Sequence, residues 1–212
     1  MSKTSVVLMA VCISVFSLFS GKTYAAVKAA AAPSATLSNL LAAYNGEKNA
    51  QMRYMLFAQQ ADKEGYNGVA SLFRAAARSE QVHYEGHAKA INELGGAPPA
   101  IKMATPVVKS TKENLEAAIN GENYEFGKMY PEFLKQAEKD KVKSAIVSFK
   151  GALKIEGIHA QLFKKALKDM ETWKGQKKDF FVCLVCGNVV ENKPPMVCPI
   201  CAAPREKFTA VN

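Results

Sequence analysis

One motif used twice restricts this chain more than anything else in it. Glu80-Gln81-Val82-His83 and Glu156-Gly157-Ile158-His159 share the spacing Glu-x-x-His, and each follows a lone glutamate, Glu47 or Glu122, by 33 or 34 residues. The chain has only three histidines, so two of them in the same motif argue against chance pairing on helix surfaces. Positions three apart on a helix share one face, so each motif presents a carboxylate and an imidazole together. A glutamate from each of two helices plus a Glu-x-x-His from each of two others is how a four-helix bundle holds two iron or manganese ions.

Periodicity places these acids inward. A helix from Leu37 to Lys63 carries Leu40, Tyr44, Glu47, Gln51, Tyr54 and Ala58 on one stripe. A second carries Val69, Leu72, Ala76, Glu80, His83, His87, Ile91 and Leu94, and Gly95-Gly96 ends it. Pro98, Pro99 and Pro106 exclude continuous helix from Gly95 to Lys109. Extended, that stretch reaches roughly 50 Å, enough to run the length of a bundle as a long crossover. Ser110 and Glu113 form a capping box for a third helix with Leu115, Ala118, Glu122, Glu125, Met129 and Phe133 on its stripe. Pro131 interrupts that pattern and predicts a kink or bulge. The fourth helix carries Ala145, Phe149, Ala152, Glu156, His159, Phe163, Ala166 and Met170 and ends near Trp173, with Gly175 as the stop. The expected fold is an all-α four-helix bundle over residues 37–175, and the matching spacing of its two hairpins suggests an internal pseudo-repeat.

Gathering Glu47, Glu80, Glu122, Glu125 and Glu156 in one interior costs several kcal/mol for each uncompensated charge. No lysine or arginine stands on the stripes, and neutralising all five by protonation demands large upward pKa shifts. Two cations remove the difficulty, and carboxylates with a little imidazole suit iron or manganese better than copper or a structural zinc. Glu125, one turn past Glu122, reads as a fifth carboxylate ligand by its stripe position. His87 reads as a core histidine or one that supports the ligands, because the residue three places before it is Tyr84. Tyr54 and Tyr130 fall near the level of the ligands, as amphipathic core or as hydrogen-bonding partners.

Residues 176–212 form a second unit. Cys183, Cys186, Cys198 and Cys201 fall within nineteen residues as two Cys-x-x-Cys pairs. Two disulfides are the bland reading for an exported chain; the spacing favours a tetrahedral four-sulfur site for iron or zinc.

Residues 1–25 read as a secretory signal: Lys3, an apolar run from Val6 to Phe19, and Thr23-Tyr24-Ala25 as a small-residue cleavage site. An uncleaved anchor is the alternative; after cleavage no stretch reaches spanning length. The expected location is outside the cytoplasm, in the periplasm. Residues 26–36, rich in alanine, read as a flexible lead-in. Loss of Lys3 and Lys22 lowers the formal net charge from +9 to +7. The lysines are scattered and no basic run is interleaved with aromatics, which speaks against nucleic acid; the charge reads as solubility and attraction to an acidic redox partner.

The combination of Glu47 with Arg53-Tyr54, Glu80-x-x-His83, Glu122-x-x-Glu125 with Met129-Tyr130-Pro131, Glu156-x-x-His159 and the paired cysteine knuckles resembles the rubrerythrins. These are ferritin-like di-iron bundles fused to a rubredoxin-like iron domain, and the resemblance spans residues 37–212. It implies a di-iron centre held by Glu47, Glu80, His83, Glu122, Glu125, Glu156 and His159, and one iron held by the four cysteines. It implies reduction of hydrogen peroxide to water, with electrons relayed through the cysteine-bound iron from an external electron donor, and between subunits of a homodimer. It implies exchange of Glu125 and His83 at one iron, with Tyr54 and Tyr130 bordering the pocket, so these four are the candidate catalytic residues. Two departures stand out: the family is thought of as cytoplasmic whereas this chain reads as exported, and Phe126 follows Glu125 where a tyrosine hydroxyl is expected. Ferritin-like iron oxidation and storage, or a structural zinc-ribbon protein with an inert bundle, are the competing readings.

Overall fold

The structure, a computed structural model, describes residues 34–211. The signal segment and most of the lead-in lie outside them. Five α-helices build the larger unit: α1 Ala35–Lys63, α2 Asn67–Glu93, α3 Thr111–Tyr124, α4 Tyr130–Lys139 and α5 Lys143–Lys168. The Ser34 hydroxyl accepts from Leu37 N–H at 3.2 Å and starts α1 two residues before the expected Leu37. Gly65, at φ +80°, lets the chain reverse into α2, and Tyr66 N–H closes the turn on Ala61 O at 2.8 Å.

The predicted third helix is α3 and α4 joined by one π turn, Glu125–Met129, in which Tyr130 N–H reaches back to Glu125 O. Pro131 lies in the first turn of α4, where its missing N–H matters least. The fourth helix, α5, stops at Lys168, earlier than expected; a single 3-10 turn, Met170–Trp173, follows, and Gly175 at φ +75° turns the chain away. Between Gly95 and Ser110 the crossover runs without helix or strand. Asn45 and Asn49 of α1 hold it: Lys102 N–H donates to Asn45 Oδ1 (3.1 Å) and Ala104 N–H to Asn49 Oδ1 (2.8 Å). Among the described residues, no helix is long and apolar enough to cross a membrane.

Two apolar clusters fill the bundle. One joins Tyr54, Phe57, Phe73, Leu115 and Phe163; the other joins Leu40, Ile91, Tyr130 and Phe149. Each fully buried phenylalanine contributes roughly 2–3 kcal/mol of transfer free energy. Along every helix the acids and histidines fall between the two clusters: Glu47 between Ala43 and Ala50, Glu156 between Ala152 and Phe163. The polar layer is thus sealed above and below by hydrocarbon.

The smaller unit is a three-stranded antiparallel sheet, β1 Phe180–Cys183, β2 Val189–Glu191 and β3 Phe208–Val211, in the order β2-β1-β3. Phe181 pairs with Val190 on one side and Ala210 on the other. Its two cysteine turns have the same build. Gly187 N–H donates to Cys183 O (2.8 Å) and Ala202 N–H to Cys198 O (2.9 Å), with Gly187 and Ala202 both at positive φ.

Ser110 and Glu113 satisfy each other's backbone N–H groups at the start of α3. Ser110→Ala removes both bonds and is expected to cost about 1 kcal/mol, read as a lower denaturant midpoint at unchanged metal content.

Candidate metal centres

Four helices bring the donors to one level: Glu47 from α1, Glu80 and His83 from α2, Glu122 from α3, and Glu156 and His159 from α5. Glu47, Glu80, His83 and Glu156 each offer a donor atom within 4.8 Å of the others, and so do Glu80, Glu122, Glu156 and His159. Glu80 and Glu156 belong to both groups. Two cations held here would share them as bridges, with one glutamate and one histidine completing each side. None of the six residues is more than 5% exposed.

His83 Nδ1 lies 2.9 Å from Glu80 and 3.0 Å from Glu156; His159 Nδ1 lies 3.0 Å from Glu156 and 3.3 Å from Glu80. Both rings therefore turn Nδ1 toward the carboxylates. Glu47 Oε2, Glu80 Oε1, Glu122 Oε2, both Glu156 oxygens and both His159 nitrogens are buried with no hydrogen-bond partner. His159 is close enough to the acids but misaligned for hydrogen bonds to them. Buried polar atoms are rarely left unpaired, and here the orphans converge on the middle of the layer. Lone pairs without protons to share are what a pair of cations needs, so the donor set fits.

Without cations the layer is under electrostatic stress. Burial raises Glu47 well above the ordinary carboxylate range, and Glu125, Glu80 and Glu156 raise it further. Burial pushes Glu122 up to about 8 although His159 opposes it. Burial also disfavours a charged His83, yet Glu156 and Glu80 outweigh it and lift His83 to about 10.

Glu125 belongs to neither group. It is half-buried at the first position of the π turn, and its carboxyl is raised well above the ordinary value by burial and by Glu122, Glu156 and Glu80. The expected fifth ligand therefore stands beside the six donors, not among them. The stripe argument assumed an unbroken α-helix, and the turn departs from α geometry where Glu125 sits. The same turn has a second effect. Tyr54 follows Glu47 by seven residues, whereas Tyr130 follows Glu122 by eight. A π turn absorbs one residue more than an α turn, which brings Tyr130 to the level Tyr54 holds in the other hairpin. The two tyrosines are used reciprocally: Tyr54 Oη donates to Glu122 Oε1, and Tyr130 Oη donates to Glu47 Oε1. Phe126, which takes the place of the expected hydroxyl, is half exposed and lies against Gly157.

The four cysteines are free thiols, not disulfides. Cys183 and Cys201 sulfurs stand 3.7 Å apart, as do those of Cys186 and Cys198. A tetrahedron with metal–sulfur bonds of about 2.3 Å has edges of about 3.75 Å, so this set also fits its ion. Asn188 Nδ2 points at Cys198 Sγ at 3.8 Å.

Sequence reasoning missed how the two units meet. Ser79 Oγ, fully buried, donates to Gly187 O at 2.6 Å. A β-carbon on Gly187 would stand 2.6 Å from Ser79 Oγ and 2.7 Å from His83 Nε2, so only glycine fits. Ile155 of α5 packs with Cys183, Cys186 and Cys198. The residue after Cys186 thus touches a histidine of the acid layer within one chain; the reading had assigned that approach to a partner subunit. A groove of ≈ 540 Å³ opens beside the junction, lined by His83, Gly86, Ser148, Cys186, Ile200 and Cys201 among others.

The family model for rubrerythrin matches residues 38–167, and that for the rubrerythrin rubredoxin-like domain matches 181–209. The chain belongs to the rubrerythrin family. It is 34% identical to nigerythrin of Nitratidesulfovibrio vulgaris, over 82% of this chain and 86% of that one. It is 35% identical to rubrerythrin-2 of Clostridium acetobutylicum, over 82% and 96%. Fully reduced nigerythrin superposes with a TM-score of 0.76 at 32% identity, covering 95% of this chain and all of that one. Bacterioferritin of Desulfovibrio desulfuricans, 21% identical with a TM-score of 0.63 over 67% and 88%, shares the bundle fold. This rubrerythrin family member thus carries the di-iron site, with glutamate and histidine donors, and the four-cysteine cluster of a rubredoxin-like domain.

Removing the metals should expose the stress in the acid layer. Groups whose folded pKa is raised hold protons that the unfolded chain has released, so their contribution to stability is lost as pH rises toward the folded pKa. For Glu122 that window runs from the ordinary glutamate range to about 8, and for His83 from the ordinary histidine range to about 10. The metal-free protein is expected to melt at progressively lower temperature from pH 5 to pH 9, in chelator-treated melts followed by circular dichroism; the metal-loaded protein should vary far less.

Proposed function

We propose that this chain is a non-haem di-iron peroxidase that reduces hydrogen peroxide to water, with electrons passed singly through the cysteine-bound iron. The observation that carries this reading is the contact of Gly187 with His83. It puts the residue next to a sulfur ligand against a ligand of the pair. Iron storage calls for no such junction, and the likeness to bacterioferritin concerns fold alone. When bound, the di-iron pair supplies two electrons to the O–O bond and the sulfur-ligated iron returns them one at a time, so one peroxide and two protons become two waters.

The chain's own residues do the rest. Glu80 and Glu156 hold both irons at a shared level, and Glu47 with His83 and Glu122 with His159 complete the two sides. Tyr54 and Tyr130 fix the outer carboxylates by hydrogen bonds, so each glutamate keeps one oxygen free. Phe57, Phe73 and Phe163 pack around Tyr54 and exclude water on that side. Glu125 is the spare carboxylate proposed to alternate with His83, since an oxygen donor favours ferric iron and an imidazole tolerates ferrous iron. Export to the periplasm, supported by Lys3, the Val6–Phe19 run and Thr23-Tyr24-Ala25, would place the external electron donor there as well. A homodimer remains part of the proposal as the family resemblance implies it.

Two measurements test it. The purified protein is expected to show ferric-thiolate absorption in the visible, and the reduced protein to be reoxidised by peroxide much faster than by dioxygen in rapid mixing; the reverse order would end the peroxidase assignment. Ser79→Val removes the hydroxyl that holds Gly187 and adds bulk at the junction. It is expected to slow electron return from the cysteine-bound iron by roughly tenfold, the effect of about 1.4 kcal/mol on a barrier, with both metal sites still filled.

A further inference from the structure

His87 is fully buried, is one helical turn past His83, and is used by neither metal set. Both its nitrogens are engaged. Nδ1 lies 2.7 Å from Ser148 Oγ and Nε2 lies 2.9 Å from Tyr130 Oη. Tyr130 in turn donates to Glu47 Oε1. At the other end Ser148 is half-buried and lines the ≈ 540 Å³ groove that opens to solvent. Four side chains therefore link the groove to a carboxylate of the acid layer by three unbroken hydrogen bonds.

The direction of the line follows from counting hydrogens. Glu47, ionised when it holds a metal, only accepts, so the single Tyr130 hydrogen points at it. Tyr130 oxygen must then accept from His87 Nε2–H. A neutral imidazole with its hydrogen on Nε2 has its lone pair on Nδ1, which accepts from Ser148. Burial holds His87 neutral by pushing its pKa down. Every donor thus points inward.

The other hairpin is built differently at the same place. His159 is followed four residues later by Phe163 where His83 is followed by His87. Phe163 packs 5.3 Å from the Tyr54 ring, with Phe57 and Phe73 beside it. Arg53, over the face of Tyr54, has no lone pair with which to take up a proton. One tyrosine ends in hydrocarbon; its counterpart connects to water.

We propose that Ser148, His87 and Tyr130 form a proton line that delivers protons from the groove to the Glu47 side of the di-iron pocket. The inference rests on the peroxidase reading, whose reaction consumes two protons for each peroxide. In one passage Ser148 takes a proton from groove water and gives its own to His87 Nδ1. His87 gives its Nε2 proton to Tyr130, and Tyr130 gives its proton to the Glu47 carboxylate or to the reduced oxygen held beside it. No charge remains on the line, and His87 returns to the Nε2–H tautomer before the next proton.

Valine and threonine at position 148 have the same shape and differ in the hydroxyl. In zinc-loaded, redox-silent, full-length protein, nitrogen NMR of labelled histidine is expected to show His87 as the Nε2–H tautomer. Its ring proton should exchange with water at similar rates in wild type and Ser148→Thr, and roughly tenfold or more slowly in Ser148→Val, the low end of a general acid–base contribution. In the iron-loaded protein, reoxidation by peroxide should slow by a similar factor in Ser148→Val alone, at unchanged iron content. An Nδ1–H tautomer, or a Ser148→Val protein that exchanges and reoxidises like wild type, overturns the proton line. If peroxide fails to reoxidise wild type at all, the peroxidase reading falls instead, while the tautomer and exchange rates still decide whether the line exists.

Discussion

Carboxylates drawn together in a dry interior repel one another, and the whole of the larger unit is arranged around the relief of that repulsion. Four glutamates with two histidines occupy one level of the bundle, fully enclosed, with apolar clusters on either side. Water cannot solvate the charges and no lysine or arginine sits among the donors. The histidines offset part of the cost, which is why Glu80 is drawn down to about 2 against the effect of burial, by His159 and His83, while Glu47 and Glu122 stay raised. Protonation can quiet the layer only at the expense of its lone pairs. Two cations quiet it by using them.

The same logic governs the smaller unit at lower cost. Four thiols within reach of one ion leave little apolar core of their own; Ile155 of the bundle lies among the buried cysteines and supplies part of it. Lys165 of α5 and Lys178 both reach Glu191 of β2, and both lie over the Trp173 ring. The sheet is therefore anchored to the bundle at two places, the tryptophan end and the Ser79–Gly187 contact. Such anchoring keeps a redox centre at a fixed distance, which a free linker would not.

Most of the bundle was legible because its determinants are local. Threes and fours of apolar residues marked α1, α2 and α5, the Ser110–Glu113 box marked α3, and Pro131 marked the irregular stretch. The donors were legible because a Glu-x-x-His pair is a statement about one helix face. What could not be read was register between elements. Glu125 looked like a ligand on an ideal helix, and only the π turn moves it aside. Gly187 looked like a turn glycine, Ser79 like helix filler, and Ser148 like a polar surface residue. Their partners lie 43 to 108 residues away, and no periodicity carries that information. The π turn itself had a trace in the unequal Glu–Tyr spacings, visible once the two hairpins are laid side by side.

The pseudo-repeat explains why the two halves can differ without losing the site. Both hairpins supply one glutamate, one Glu-x-x-His and one tyrosine, so the metal-binding layer is close to symmetric, and its electrostatics require that symmetry. Outside the layer the requirement lapses. On the His159 side the space is filled by Phe163, Phe57 and Phe73 and stays dry. On the His83 side three polar features cluster within two turns of α2: Ser79 against Gly187, His83 against the same glycine, and His87 between Tyr130 and Ser148. Electrons and protons consumed in reducing peroxide must arrive together if charge is not to build up in a low-dielectric interior. Placing both supplies on one helix, beside one iron of the pair, meets that demand, and sealing the opposite half keeps water and stray protons from short-circuiting it.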